Sequence, residues 1–141
     1  MRHVAHLAIG PAAFRIGSDW RAPVAALEAL YCDYPKPDVP DFNVHLFAAR
    51  PWRRWLRPAV HIGGDFTIPD AAPLPLAQGL LAAEMGMNLQ MALAQRRFLL
   101  LHASAVERNG RAVLMTRISG AGKSTPAAPL MARGWRAVKR E

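Results

Sequence analysis

The stretch "FLLLHASAVERNGRAVLMTRISGAGKST", residues 98–125, decides the fold. Two β-rich runs, Phe98 to Val106 and Arg111 to Thr116, flank Asn109-Gly110. That dipeptide is the strongest short hairpin signal, because both of its positions tolerate positive φ. The second run leads directly into Gly120-Ala121-Gly122-Lys123-Ser124. A glycine loop between a strand and a helix is the setting in which backbone N–H groups converge on phosphate oxygens. The pattern therefore predicts strand, turn, strand, phosphate loop and helix, in that order.

The chemistry of such a loop is specific to its residue types. Gly120 and Gly122 leave the backbone free of side chains, Lys123 reaches the outer phosphates, and the Ser124 hydroxyl ligates Mg²⁺. A helix opening near Lys123 adds the positive end of its dipole. The expected nucleotide site is Ser119, Gly120, Ala121, Gly122, Lys123, Ser124 and Thr125, with ATP and Mg²⁺ as cofactors. Two residues depart from the pattern. Arg117 stands where the full motif opens with glycine, which strains a backbone that needs positive φ. Pro129 falls inside the following helix, where it removes the bond to the Thr125 carbonyl at a cost of about 3 kcal/mol if the helix stays straight. Gly134 is placed to end that helix. These departures predict weak binding.

Upstream, Val4 to Ile9 and Phe14 to Ile16 read as strands around Gly10-Pro11. A helix follows, with Pro23 in its first turn and Val24, Leu27 and Tyr31 on one face. It cannot pass "DYPKPDVP", residues 33–40. Asn43 to Ala48 is the next strand. Val60 to Ile62 and Phe66 to Ile68 flank Gly63-Gly64-Asp65, which predicts a hairpin, and Pro69 to Pro75 reads as a linker. From Leu76 to Gln95 the pattern is helical, with Glu84, Asn88 and Gln95 on one stripe and the remainder mostly apolar. Such a helix should be buried over most of its circumference. The segment also carries Gln78 and Gln90, so it reads as a buried helix and not as a membrane span.

The chain has 141 residues, 52% of them hydrophobic, enough for a core. The single Cys32 excludes an internal disulfide framework. No secretory signal follows the N-terminus, and the expected location is cytoplasmic. His3, His6, His45 and His61 lack the spacing of a zinc site. The net charge of +8 and pI near 11.0 point toward an acidic partner. Much of the excess lies in "RPWRRWLRP", residues 50–58, and in Arg133 to Arg140. The arginine and tryptophan interleaving is compatible with single-stranded nucleic acid or a membrane interface. The plainer expectation is that Trp52, Trp55 and Leu56 anchor a helical turn to the body while the arginines stay wet. On that reading nucleic acid is not the expected partner.

The segment from Leu99 to Glu141, with its L-H-A-S-x-V-E-x-x-G-R-A strand pair, phosphate loop and "RGWR", resembles the start of the kinase core of HPr serine kinases and their bacterial relatives. "LAIGPAAFRIGSD" and "RRWLRPAV" are similar, less specifically, to the N-terminal part of that related group. The resemblance implies an α/β fold: an α+β N-terminal region over 1–75, then over 76–141 a helix, a hairpin and the start of a core like that of phosphoenolpyruvate carboxykinase. It implies phosphoryl transfer from ATP to a serine hydroxyl, on a serine-bearing protein or a small-molecule acceptor. His102, by itself a strand histidine, matches the histidine on the strand before the loop. The acidic pair that follows in the family falls on Arg140 and Glu141, so Glu141 is the one acidic candidate. A guanidinium cannot accept the hydroxyl proton.

Too little chain follows Lys123 for a complete core, so the sequence reads as the front of a longer kinase-like protein. Its last strand, Trp135 to Val138, should have little sheet to join, leaving edges prone to self-association. Three readings stay open: an HPr-kinase-like protein with a weak site, a basic adaptor using residues 50–57, and a self-associating remnant.

Overall fold

The computed structural model describes residues 2–67, 71–94, 101, 103–116 and 124–138. Helices and strands are mixed along the chain, in two compact units, Met1–Arg97 and Phe98–Glu141.

The first unit is built on a five-stranded sheet in the order β1-β2-β3-β4-β5. Strands β1 (His3–Ile9) and β2 (Ala12–Ser18) form an antiparallel hairpin, with Leu7 opposite Phe14. Helix α1 (Arg21–Leu30) crosses to β3 (Phe42–Phe47), which lies parallel to β2. Strands β4 (Ala59–Gly64) and β5 (Leu74–Pro75) complete the sheet in antiparallel fashion. Side chains alternate across a sheet with period two. Leu7, Phe14, Ile16, Val44, Leu46 and Val60 thus share the buried face, while Arg15, Asn43 and His45 lie on the opposite face, half-buried. The proline-rich loop after α1 is tied along β1, where Ala8 donates to the Pro35 carbonyl at 2.8 Å.

Helix α2 (Gly79–Ala94) packs over β3 and β4 and beside α1. It approaches closely at Gly86, where an added Cβ would sit 2.5 Å from Cγ1 of Val44. The helix thus belongs with the first sheet, and the division between units falls at 97/98, whereas the sequence pattern joined the helix to the hairpin from residue 76. It is also less buried than its composition predicts. Ala82, Ala83, Met87 and Gln90 face the core, but Leu81, Met85 and Leu93 are each about half exposed. Composition reports how apolar a helix is, not how many neighbours cover it.

The hairpin expected across Gly63-Gly64-Asp65 does not form among the described residues, Ile68 lying outside them. After β4 the chain turns, and the backbone of Phe66 is taken by the side chain of Gln90. Phe66 N–H donates to Gln90 Oε1 at 2.9 Å, and Gln90 Nε2 donates to the Phe66 carbonyl at 2.9 Å. Asp65 meanwhile accepts from Asn43 N–H at 2.7 Å and from Asn43 Nδ2 at 3.1 Å. The intended linker instead supplies β5, with Leu74 opposite Val60.

Among its described residues the second unit has a three-stranded sheet, β7-β6-β8, and one helix. Strands β6 (Ala103–Arg108) and β7 (Arg111–Thr116) pair with Arg108 opposite Arg111. Asn109 at φ 55° and Gly110 at φ 74° make the two-residue turn that the sequence predicts. Helix α3 (Ser124–Ala132) continues through Pro129. It ends at Gly134, φ 84°, in a Schellman arrangement. Trp135 N–H donates to the Leu130 carbonyl at 3.1 Å, and Gly134 N–H to that of Met131 at 3.0 Å. The final strand does find a partner. Strand β8 (Arg136–Ala137) pairs antiparallel with β6, and Val138 N–H extends the ladder to the Ala105 carbonyl at 3.0 Å. Val106 is fully buried in this unit, while Val113, Leu114 and Val138 are exposed.

Candidate functional site

The residues expected to bind nucleotide, Ser119, Gly120, Ala121, Gly122 and Lys123, lie outside the described residues, as do Arg117, His102, Arg140 and Glu141. Ser124 and Thr125 open the backbone of α3. The elements on both sides of the loop are therefore visible: β7 ends at Thr116 and α3 begins at Ser124, directly after Lys123. Nine residues make α3 long enough for its first-turn N–H groups to carry the positive end of a helix. Pro126 occupies the first turn, where an N–H has no helical acceptor in any case. Pro129 forfeits one hydrogen bond, yet the helix persists to Ala132.

Glu107, on β6, is engaged as a structural brace. Its Oε1 accepts from Gly110 N–H at 2.9 Å, closing the hairpin turn. Its Oε2 accepts from Arg136 Nε at 3.1 Å and lies 3.0 Å from Arg136 Nη2, tying β8 to β6. The Gly110 bond and the Arg136 guanidinium hold the carboxyl below the usual glutamate range. A carboxylate so committed is a poor proton acceptor. Asp65, bound to Asn43, is likewise occupied.

The arginine and tryptophan segment departs from its expected orientation at Arg54, Trp52, Trp55 and Leu56, while Arg50 and Arg57 are exposed as expected. Pro51–Arg54 forms a 3₁₀ turn, held by Arg53 N–H to the Arg50 carbonyl at 3.0 Å and Leu56 N–H to the Trp52 carbonyl at 3.1 Å. The residue that anchors it is Arg54. Its Nη2 donates to the Asp19 carbonyl at 2.9 Å and stands 3.6 Å from Asp19 Oδ1, while Trp20 Nε1 donates to the Arg54 carbonyl at 2.9 Å. The apolar residues point outward: Trp55 is 75% exposed, Leu56 62% and Trp52 45%. The arginine wins the inner position because the carboxylate and the carbonyl of Asp19 lie there, and one guanidinium engages both. Sequence spacing carried no sign of this, since Asp19 and Arg54 belong to different elements.

Beside the turn is a cavity of about 390 Å³, lined by Arg50, Trp52, Arg53, Ala59, His61 and Pro73. Arg53 lies over the Trp52 ring at 4.7 Å and Arg54 near that of Trp55 at 5.8 Å. Phe47, on β3, stacks on His61 of β4 at 5.7 Å. On the same sheet face, His45 is held below the usual histidine range by burial first and then by Arg15, with Asp65 opposing. Among the described residues no group of three or more His, Cys, Asp or Glu could hold a metal ion, and no helix is long and apolar enough to cross a membrane. Compared with family models, curated proteins and solved structures, the chain matches none.

Proposed function

We propose that this chain is an HPr-kinase-like, ATP-binding protein, ancestrally transferring phosphate from ATP to a serine hydroxyl, with weak or no transfer activity of its own. The observation that carries the reading is the pair of elements flanking the glycine loop. A strand ending at Thr116 and a helix starting at Ser124 leave Gly120, Gly122 and Lys123 in the connection between them. The donor set suits the ligand: Lys123 and the loop amides would hold phosphate oxygens, and the Ser124 hydroxyl would ligate Mg²⁺. Mg-ATP would supply the transferable phosphoryl group. The chain's own task is positioning and charge neutralisation, and Arg140, at the acidic position of the resemblance, supports the expectation of low activity.

Thermal stability with millimolar Mg-ATP tests this, with Lys123→Ala beside the natural chain. A shift in the natural chain that is lost in Lys123→Ala is expected. Equal shifts in both, or none in either, would refute nucleotide binding at the loop.

A second reading is a basic adaptor that binds an acidic partner through residues 50–57. The outward position of Trp52, Trp55 and Leu56, flanked by arginines, favours it.

A further inference from the structure

We infer that the turn at residues 50–57 is a peripheral docking element for an anionic lipid surface. The inference rests on the second reading above and names the acidic partner as a membrane rather than a protein. It begins from an energetic anomaly. Trp55 and Leu56 stand 75% and 62% exposed on a turn that is not loose. The Arg54–Asp19 contact and the Trp20 bond to the Arg54 carbonyl pin its inner side, so the outward side chains are presented on a fixed support. Exposed large apolar residues clustered on one such support mark an interaction site.

The charges around them identify the partner's sign. Arg54 is neutralised by Asp19, but Arg50, Arg53 and Arg57 have no acidic partner among the described residues. Among the described residues the Arg53 guanidinium donates to the Arg57 carbonyl, at 3.4 Å. Three cations thus interleave in sequence with two indoles and a leucine. Arginine and tryptophan are the residues that settle at headgroup depth, with apolar bodies inward and polar parts wet. Basic residues there gain from the negative potential of anionic lipids.

Two features favour lipid over a polyanionic chain. Leu56 offers acyl-depth contact and has no counterpart in stacking or ion pairing. Each indole also has a guanidinium near its ring, Arg53 by Trp52 and Arg54 by Trp55, leaving less ring surface for base stacking. The adjoining cavity, with Arg50, Arg53 and His61 in its wall, suits a headgroup phosphate oxygen.

The experiment is co-sedimentation of the full chain with phosphatidylcholine vesicles, with and without phosphatidylglycerol. Binding to the anionic vesicles, with a blue-shifted tryptophan emission, is expected, and little binding to the neutral ones. Replacing Trp55 and Leu56 together by Ala should weaken partitioning by about tenfold or more, because apolar area no longer enters the interface. Arg53→Gln with Arg57→Gln should weaken it as well and flatten its salt dependence. Trp55, Leu56 and Arg57 are exposed and Arg53 is half-buried, and circular dichroism verifies that the variants fold. Vesicle binding indifferent to Trp55 and Leu56, or absent, overturns the inference. Binding to heparin or an acidic peptide without vesicle binding refutes the lipid assignment and leaves the adaptor reading standing. Failure with vesicles and polyanions alike removes both.

Discussion

Replacing Gln90 by Met examines the joint between α2 and the end of β4. Gln90 is fully buried, and its amide makes two bonds of 2.9 Å with the backbone of Phe66. Methionine has similar length and volume, so the packing beside Gly64 changes little while both hydrogen bonds vanish. Stranding a fully buried N–H and C=O would cost roughly 1–3 kcal/mol each. Phe66 is itself 43% exposed, so water reaches its backbone and the lower end applies. The expected loss is about 2 kcal/mol, or about 8–16 °C in Tm for a unit of this size. Urea unfolding followed by circular dichroism measures it. Gln90→Glu gives an independent reading through pH. A carboxylate there accepts from Phe66 N–H but opposes the Phe66 carbonyl, so the folded-state pKa should lie above the unfolded value. Stability of that variant is then fully present below the unfolded carboxyl pKa and lost as pH rises through the folded one. Relative to the natural chain at the same pH, it should recover on acidification. A Gln90→Met protein within about 0.5 kcal/mol of the natural chain would mean that the amide does not hold the β4 exit, and the reasoning would fail.

Three other expectations concern different parts of the molecule. Arg117→Gly should strengthen Mg-ATP binding by restoring the glycine with which the phosphate-loop pattern opens, read as a larger thermal shift; a smaller shift would mean that the guanidinium contacts phosphate. His45, whose folded pKa is below the ordinary 6.5, binds protons more readily when unfolded. Its contribution leaves stability unchanged above about pH 6.5 and lowers it as pH falls through that value, so His45→Gln should show a flatter acid limb in urea titrations, and an unaltered limb would refute this. Strand β7 has no partner on its outer edge among the described residues, and Val113 and Leu114 are 42% and 59% exposed. Light scattering should therefore show mass rising with concentration, reduced by Leu114→Lys, and a concentration-independent monomer would exclude self-association through this strand.

Local chemistry in the sequence was sufficient for several elements. Asn109-Gly110 determines a two-residue turn because few other residue pairs accept positive φ at both positions. Gly134 ends α3 for a similar reason, and Pro35, Pro37 and Pro40 exclude helix wherever the chain goes next. The alternation of Phe14 and Ile16, or Val44 and Leu46, likewise reports a one-sided sheet from period alone. Tertiary structure decided where two distant groups competed for one backbone or one site. Phe66 carries a strand-like sequence, yet its N–H and C=O go to Gln90 from a helix later in the chain. Arg54 turns inward and Trp55 outward because Asp19, far away in sequence, supplies the charge. The allocation of α2 to the first sheet follows from the close approach that Gly86 permits to Val44. Sequence patterns record each residue's own preferences, whereas these outcomes depend on which partner arrives, and that is a property of the folded chain.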